Sequence, residues 1–256
     1  TLVISAAGDI SLANDDNRDD ALRLAIETGT GLTFCGRSEG LATAYHRHIR
    51  AHQEIRRAEG IEYPEVEIRD VWRDLLAELC REEKLPAIET DSEAVCERIA
   101  VAYECAANPV WPMPQLAETL AALREKNLAL GIVSNAQFYT LSLFPAFLDG
   151  RDLAALGFDE RLAVFSFQLR EGKPSTRLYE ILAENLAEQG IAPDEVIYVG
   201  NDLRNDIWPA QLVGFRTALF AGDARSLRWR EDDPRVEGVI PDLVITELAQ
   251  LIAVLS

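Results

Sequence analysis

The residues best suited to chemistry lie in segment 196–207, where an apolar run ends in Gly200 and two carboxylates, Asp202 and Asp206, open a helical stretch. Mg²⁺ takes oxygen ligands and is usually held by one or two carboxylates together with substrate oxygens. Such a turn therefore suits a hard divalent cation beside a phosphate. The same residue types also suit an ordinary solvated turn, so this segment alone leaves both interpretations open.

Two other polar groups follow apolar runs. Ser134 and Asn135 come directly after the apolar run 128–133, and a hydroxyl at the end of a buried strand can donate to an anionic oxygen. Lys173 stands between a glycine and a proline just before a predicted helix, where it can place a point charge on a phosphoryl group. Taken singly, a helix cap at Ser134 and a solvated loop lysine are the alternatives.

The elements that must position these residues alternate from residue 109 onward. Short apolar strands are separated by helical patterns, which is typical of βα units that build a parallel sheet covered by helices on both faces. In such sheets ligands bind beyond the carboxyl ends of the strands, where these residues lie. The predicted fold class is therefore α/β, with a Rossmann-like parallel sheet. Strands are expected at 128–133, 163–167, 196–199, 216–220 and 243–245, and helices at 115–126, 139–148, 176–189, 206–213 and 247–255.

Residues 17–108 have helical patterns almost throughout. Apolar residues recur at helical spacing, for example Val71, Leu75 and Leu79. Prolines at positions 109, 112 and 114 predict a stiff linker at the end of this region. The sequence therefore predicts a second, mainly α-helical domain. Its helices are expected at 21–28, 38–59, 67–83 and 92–107.

Composition restricts the kinds of partner. The formal net charge of −18 argues against a nucleic-acid backbone or an anionic membrane as the main partner. No stretch approaches the ~20 consecutive apolar residues of a membrane span. The four cysteines form no CxxC pair and no Cys/His spacing typical of metal ligands, so a reduced, cytoplasmic setting is expected.

The hydroxyl, the lysine and the paired carboxylates occur in that order, each after its own strand. This order resembles the haloacid dehalogenase-like (HAD) superfamily, whose members are mostly phosphohydrolases. The resemblance implies that Ser134 hydrogen-bonds the transferring phosphoryl group, with support from Asn135. It also implies that Lys173 neutralises the phosphoryl oxygens and that Asp202 and Asp206 bind Mg²⁺.

The resemblance covers about residues 110–256 and places the helical region where the family carries a cap. It implies an α/β core domain formed by 1–12 and 109–256, with a helical cap domain formed by 13–108. A cap that closes over the site excludes water and supplies substrate contacts. Arg37, near the start of the predicted cap, is the residue we expect to make such a contact.

The family's reaction begins on an aspartate of a DxDGT-like motif at the end of the first strand, and this sequence contains no such motif. One explanation is decay of the motif within 3–8, with Ser5 and Ala7 in place of the two aspartates. The other is that Thr1 follows the motif directly, so that the aspartates lie upstream and 2–12 form a short hairpin. The second is favoured, because a nucleophile strand lies centrally in the sheet and should be a long apolar run.

The expected function is a Mg²⁺-dependent phosphomonoester hydrolase that acts on a small soluble phosphorylated metabolite through an aspartyl-phosphate intermediate. One alternative is a catalytically inactive phosphate-binding or regulatory protein that lacks the nucleophile. Another is a 2-haloacid dehalogenase-type hydrolase, against which Asp202 and Asp206 argue because that reaction needs no metal. The sequence indicates neither the substrate, nor the oligomeric state, nor whether Asn201 contributes to the metal site.

Overall fold

The computed structural model describes residues 3–5, 18–88 and 91–255. The chain divides into two compact units. The first comprises Thr1–Ile4 and Trp111–Ser256, and the second comprises Ser5–Val110. Within the described ranges, no helix combines the length and hydropathy needed to cross a membrane.

The second unit is helical, as the sequence predicts. Helix α3 shows why, since its buried residues recur at a spacing of three or four and form one apolar face that includes Val71, Trp72 and Leu75. Its first turn is capped by Glu67, whose side chain accepts a hydrogen bond from the Arg69 N–H. The helices are α1 (Arg18–Thr30), α2 (Leu41–Ala58), α3 (Ile68–Arg81) and α4 (Glu93–Ala107).

Helices α1 and α4 approach each other closely at Gly29. A Cβ atom added there would lie 2.3 Å from Ile99 Cγ1 and 2.7 Å from the Ile99 main-chain nitrogen. Real Cβ atoms do not tolerate such distances, and the main chain of α4 cannot move aside without repacking the unit. Gly29 therefore allows the contact between these two helices.

We expect Gly29→Ala to destabilise the second unit by about 2 kcal/mol or more, because overpacking outweighs the gain in helix propensity. The measurement is urea unfolding followed by circular dichroism. Thr28→Ala is the matched control, since Thr28 is exposed on the same helix and the change only raises helix propensity. A Gly29→Ala protein as stable as the Thr28→Ala protein would contradict the close approach.

The first unit holds most of the strands. Its sequence alternates strands with helices, and it closes with a short helix. The strands are β1 (Val3–Ser5), β2 (Val110–Pro112), β3 (Leu130–Ser134), β4 (Phe158–Phe165), β5 (Ile197–Gly200), β6 (Arg216–Phe220) and β7 (Leu243–Ile245). The helices are α5 (Leu116–Glu125), α6 (Leu143–Phe147), α7 (Ser166–Leu169), α8 (Arg177–Glu188), α9 (Trp208–Leu212) and α10 (Gln250–Val254).

Strands β3 to β7 pair in parallel, which confirms the predicted fold class. Strand β3 pairs with β4, and β5, β6 and β7 follow one another in a second ladder. Residues of β4 alternate between two apolar clusters, with Leu162 and Val164 in the cluster that contains α8 and Phe165 in the cluster that contains α5 and α10. Both faces of the strands are therefore covered by helices.

The expected strand 163–167 is wrong at both ends. Strand β4 begins at Phe158, because its early part includes exposed Glu160 and Arg161 and shows no apolar run. Ser166 already lies in α7, and its buried Oγ accepts the Ala136 N–H at 3.0 Å. This bond fixes the point where the chain leaves the strand.

The linker and two of the helices differ from what the sequence predicts. Of the linker expected at 109–114, Val110–Pro112 forms strand β2, which pairs with β1. Of the expected hairpin 2–12, only Val3–Ser5 lies within the described residues. The expected helices 139–148 and 206–213 each divide in two, into the 3-10 helix Phe138–Ser142 with α6 and the π-helix Leu203–Ile207 with α9.

Within the described residues, no main-chain ladder joins β3 to β5. These strands are instead joined by a side chain, since the Tyr198 hydroxyl lies 3.1 Å from the Val133 carbonyl oxygen. Neighbouring strands of a continuous sheet lie ~4.8 Å apart and bond directly through their main chains. The facing edges of β3 and β5 therefore remain unpaired in this part of the chain.

Candidate active site

The site residues lie at the carboxyl ends of β3 and β5 and in the loop that follows β4 and α7. Ser134 is the last residue of β3 and is half-buried, and its Oγ lies 3.4 Å from the Asn135 carbonyl oxygen. Gly200 is the last residue of β5, and Lys173 follows α7. The fold brings the loop that holds Lys173 and the turn after β5 together at an ion pair.

Lys173 and Asp206 form a buried ion pair. Lys173 Nζ lies 2.6 Å from Asp206 Oδ1, and the two side chains are only 10% and 9% exposed. Lys173 Nζ also donates to the Tyr198 hydroxyl at 3.0 Å, and that hydroxyl lies 3.3 Å from Asp206 Oδ1. Three polar groups thus share one buried space below the strand ends.

Both members of this pair are charged near neutral pH. Burial alone lowers the pKa of Lys173, but the Asp206 carboxylate raises this pKa above its ordinary value. Burial alone raises the pKa of Asp206, but Lys173 holds this pKa below its ordinary value. Burial raises the pKa of Tyr198, so its phenol stays protonated and can donate a hydrogen bond.

Asn135 holds the main chain of Lys173 in place. Its Oδ1 accepts the Lys173 N–H at 2.7 Å, and its Nδ2 lies 3.3 Å from the Lys173 carbonyl oxygen. The amide thus ties the end of β3 to the lysine loop by two hydrogen bonds. This role differs from the one that the resemblance implies, the support of Ser134, which remains a prediction.

The acidic turn is organised around its two carboxylates. Asp206 Oδ2 accepts the N–H groups of Asn201 and Asp202 at 3.0 and 3.1 Å. Asp202 Oδ1 accepts the N–H groups of Arg204 and Asn205 at 3.0 and 3.1 Å, which caps the π-helix. Each carboxylate therefore fixes main-chain groups of the turn, and π-helical turns often occur at functional sites.

Asp202 carries a second, unexpected partner. The guanidinium of Arg230 lies against its carboxylate, with Nη2 2.6 Å and Nε 3.1 Å from Oδ2. Sequence reasoning missed both Arg230 and Tyr198. A tyrosine in a buried strand needs a partner for its hydroxyl, which is a signal that could have identified Tyr198. Arg230 lies 28 residues from Asp202, and no local pattern indicates the pairing.

The donor set of the turn fits Mg²⁺ chemically. The turn supplies two carboxylates, Asp202 and Asp206, and hard oxygen ligands of this kind are those that Mg²⁺ accepts. No group of three or more His, Cys, Asp or Glu that could hold a metal occurs among the described residues. A cation at this turn would thus take remaining ligands from water and substrate, and it would compete with Arg230 and Lys173 for the carboxylates.

Arg37 lies in the second unit. It is exposed, in the segment between α1 and α2. Its expected contact with substrate remains a prediction.

The fold is similar to that of solved HAD structures. The 2-haloacid dehalogenase from Pseudomonas syringae pv. tomato DC3000 matches with a TM-score of 0.59 and 21% sequence identity, over 100% of this chain and 94% of that chain. A HAD phosphatase from Thermococcus onnurineus matches with a TM-score of 0.53 and 16% identity, over 100% and 94% of the two chains. At these identities the likeness shows the fold alone.

Comparison at the level of sequence finds a curated relative and a matching family model. The chain is 28% identical over 145 residues to the glyceraldehyde 3-phosphate phosphatase of Methanopyrus kandleri strain AV19. That match covers 56% of this chain and 56% of the relative, so the chain spans about half the length of the curated relative it matches. The family model for haloacid dehalogenase-like hydrolases matches residues 19–214, well over half of the chain. The chain therefore belongs to the haloacid dehalogenase-like hydrolase family.

Proposed function

We propose that this hydrolase cleaves phosphomonoesters of small soluble metabolites and that it depends on Mg²⁺. The observation that carries the proposal is the buried Lys173–Asp206 pair beside the acidic turn, at the carboxyl ends of parallel strands. The glyceraldehyde 3-phosphate phosphatase of Methanopyrus kandleri supports the same reaction class by its sequence similarity.

Phosphoryl transfer needs stabilisation of the negative charge on the transferring group. Lys173 is suited to that task because the fold holds it charged and Asn135 fixes its main chain. We assign Lys173 to the phosphoryl oxygens and to the attacking carboxylate. We assign Ser134, at the end of β3, to a hydrogen bond with the phosphoryl group, with Asn135 beside it.

The attacking carboxylate is not one of the residues assigned above. In the family it follows a strand central to the sheet. The facing edges of β3 and β5, which the Tyr198 side chain joins in the described part of the chain, are where such a strand would pair. We place the nucleophile at the end of a strand between these two edges, where it would lie next to Lys173.

Mg²⁺ would be held by Asp202 and Asp206, and when bound it would neutralise charge that develops on the phosphoryl group. We assign the helical second unit to the role of a cap, and a cap that closes over the site would admit only a small substrate. Arg37 is the substrate contact that we assign to this unit. The net charge of −18 supports a small phosphorylated metabolite rather than a nucleic acid as the partner.

The test measures phosphate release by the full gene product from a panel of small phosphate monoesters, with and without Mg²⁺. We expect Mg²⁺-dependent turnover, which Ser134→Ala lowers by about 10- to 100-fold through loss of a hydrogen bond made to the transferring group. Ser142→Ala is the control, since Ser142 is exposed in the 3-10 helix after β3. This variant should turn over substrate normally.

The same panel includes a 2-haloacid, with halide release as the readout. Halide release without phosphate release would identify a dehalogenase and contradict the proposal. Binding of inorganic phosphate without release of either product would identify a phosphate-binding protein that has lost catalysis.

A further inference from the structure

The segment between β6 and β7 is fastened along the acidic turn. The Arg228 N–H donates to the Asn201 carbonyl oxygen at 2.9 Å, and the Leu203 N–H donates to the Arg228 carbonyl oxygen at 2.9 Å. Asn201 Nδ2 also donates to the Ser226 carbonyl oxygen at 2.6 Å. The main chain of the turn and that of the segment thus run side by side for a few residues, as a short parallel bridge.

This pairing carries Arg230 to Asp202. The guanidinium makes three hydrogen bonds to the carboxylate, two to Oδ2 at 2.6 and 3.1 Å and one to Oδ1 at 3.3 Å. The pair is sheltered, with side chains 28% and 8% exposed. Arg230 has a φ of 57°, a left-handed conformation that residues other than glycine rarely adopt and that surrounding contacts must hold.

The carboxylate of Asp202 then has little room for another cation. An ionised carboxylate offers about four lone-pair positions. Two of them take the N–H groups of Arg204 and Asn205, and the guanidinium takes the rest. The main-chain bonds cap the π-helix and would keep their positions, so an incoming cation must displace the guanidinium. Two cations on one carboxylate would also repel each other.

We propose that Arg230 is a positioning residue that competes with the divalent cation for Asp202. Metal binding at the acidic turn then requires Arg230 to leave the carboxylate. Because the arginine is fastened to the turn through Arg228 and Ser226, its release changes the contacts of the segment between β6 and β7. The occupancy of the metal site is in this way coupled to that segment. The inference rests on the proposed function, since it takes Asp202 as a metal ligand.

The experiment is isothermal titration of the full-length protein with Mg²⁺ alone, without substrate. We expect Arg230→Gln to bind Mg²⁺ about tenfold more tightly than the wild type, because the displaced hydrogen bonds involve two charged groups. Arg225→Gln is the matched control. It removes the same charge from the same segment, but Arg225 pairs with Asp223, which is not part of the turn, so its affinity for Mg²⁺ should equal that of the wild type.

A second measurement needs no variant. The Nε–H signal of Arg230, observed by nuclear magnetic resonance, should shift in the wild type as Mg²⁺ is added. Equal or weaker Mg²⁺ binding by Arg230→Gln, or an Arg230 signal that stays unchanged while Mg²⁺ binds, would overturn the competition and leave the proposed function standing. Absence of Mg²⁺ binding by all three proteins would overturn the metal part of the proposed function together with this inference.

Discussion

Replacement of Lys173 by methionine should abolish hydrolysis and destabilise the first unit. Methionine is unbranched like lysine and only slightly shorter, but it leaves the Asp206 carboxylate buried without its cation, which typically costs ~3–5 kcal/mol. Activity should fall at least ~100-fold, since the variant loses the group that we propose to stabilise phosphoryl charge. Chemical unfolding and initial rates of phosphate release measure the two effects.

The double variant Lys173→Met/Asp206→Asn separates these effects. Asparagine keeps an oxygen that can accept the N–H groups of Asn201 and Asp202, and it removes the uncompensated charge. We expect the double variant to recover most of the lost stability, because replacing both members of a buried ion pair is often nearly neutral. Its activity should remain as low as that of Lys173→Met.

Lys84→Met is the control for the loss of a lysine. Lys84 pairs with Glu82 where both side chains are well exposed, at 38% and 45%, so this change should be nearly neutral for stability. If Lys173→Met were as stable as Lys84→Met, the Lys173–Asp206 contact would not be the buried pair described above. If it were also fully active, Lys173 would have no role in phosphoryl transfer.

Lys173 and Asp206, which were predicted as site residues from the sequence and which the fold brings into contact, both follow strands. Lys173 and Asp206 were expected at a common site because both follow predicted strands, and parallel strands place their carboxyl ends at one edge of a sheet. The order of elements predicted a common site for these two residues, which lie 33 positions apart in sequence, but it did not predict their ion pair. Topology thus carried information that no local motif contains.

The remaining contacts depend on the path of the chain outside the strands. Arg230 reaches Asp202 because the segment between β6 and β7 bends back along the turn, and no periodic pattern encodes that bend. The early part of β4 was missed for a related reason. Asp159 and Arg161 form hydrogen bonds with each other in this part of the strand. In the sequence alone, polar residues of this kind are typical of a loop.

Replacement of Gly200 by alanine should also disable the site, by steric means. A Cβ atom at this position would lie 2.2 Å from Asp206 Cβ and 2.6 Å from Asp206 Oδ2. The aspartate would have to move away from Lys173 and from the N–H groups that it accepts. We expect a loss of ~3 kcal/mol in the free energy of unfolding and at least ~100-fold in activity, because misplacement by ~1 Å is enough for such a loss.

Gly172→Ala provides the comparison, since it adds the same methyl group to the lysine loop. A Cβ atom there would lie 3.2 Å from the side-chain Nδ2 and Oδ1 of Asn135, which is exposed and can shift by a few tenths of an ångström. Gly172→Ala should therefore cost less than ~1 kcal/mol. The two glycines differ in what they touch, a buried charged carboxylate against an exposed amide. Equal losses in the two variants would mean that Gly200 does not set the position of Asp206, and that the turn tolerates a side chain at the end of β5.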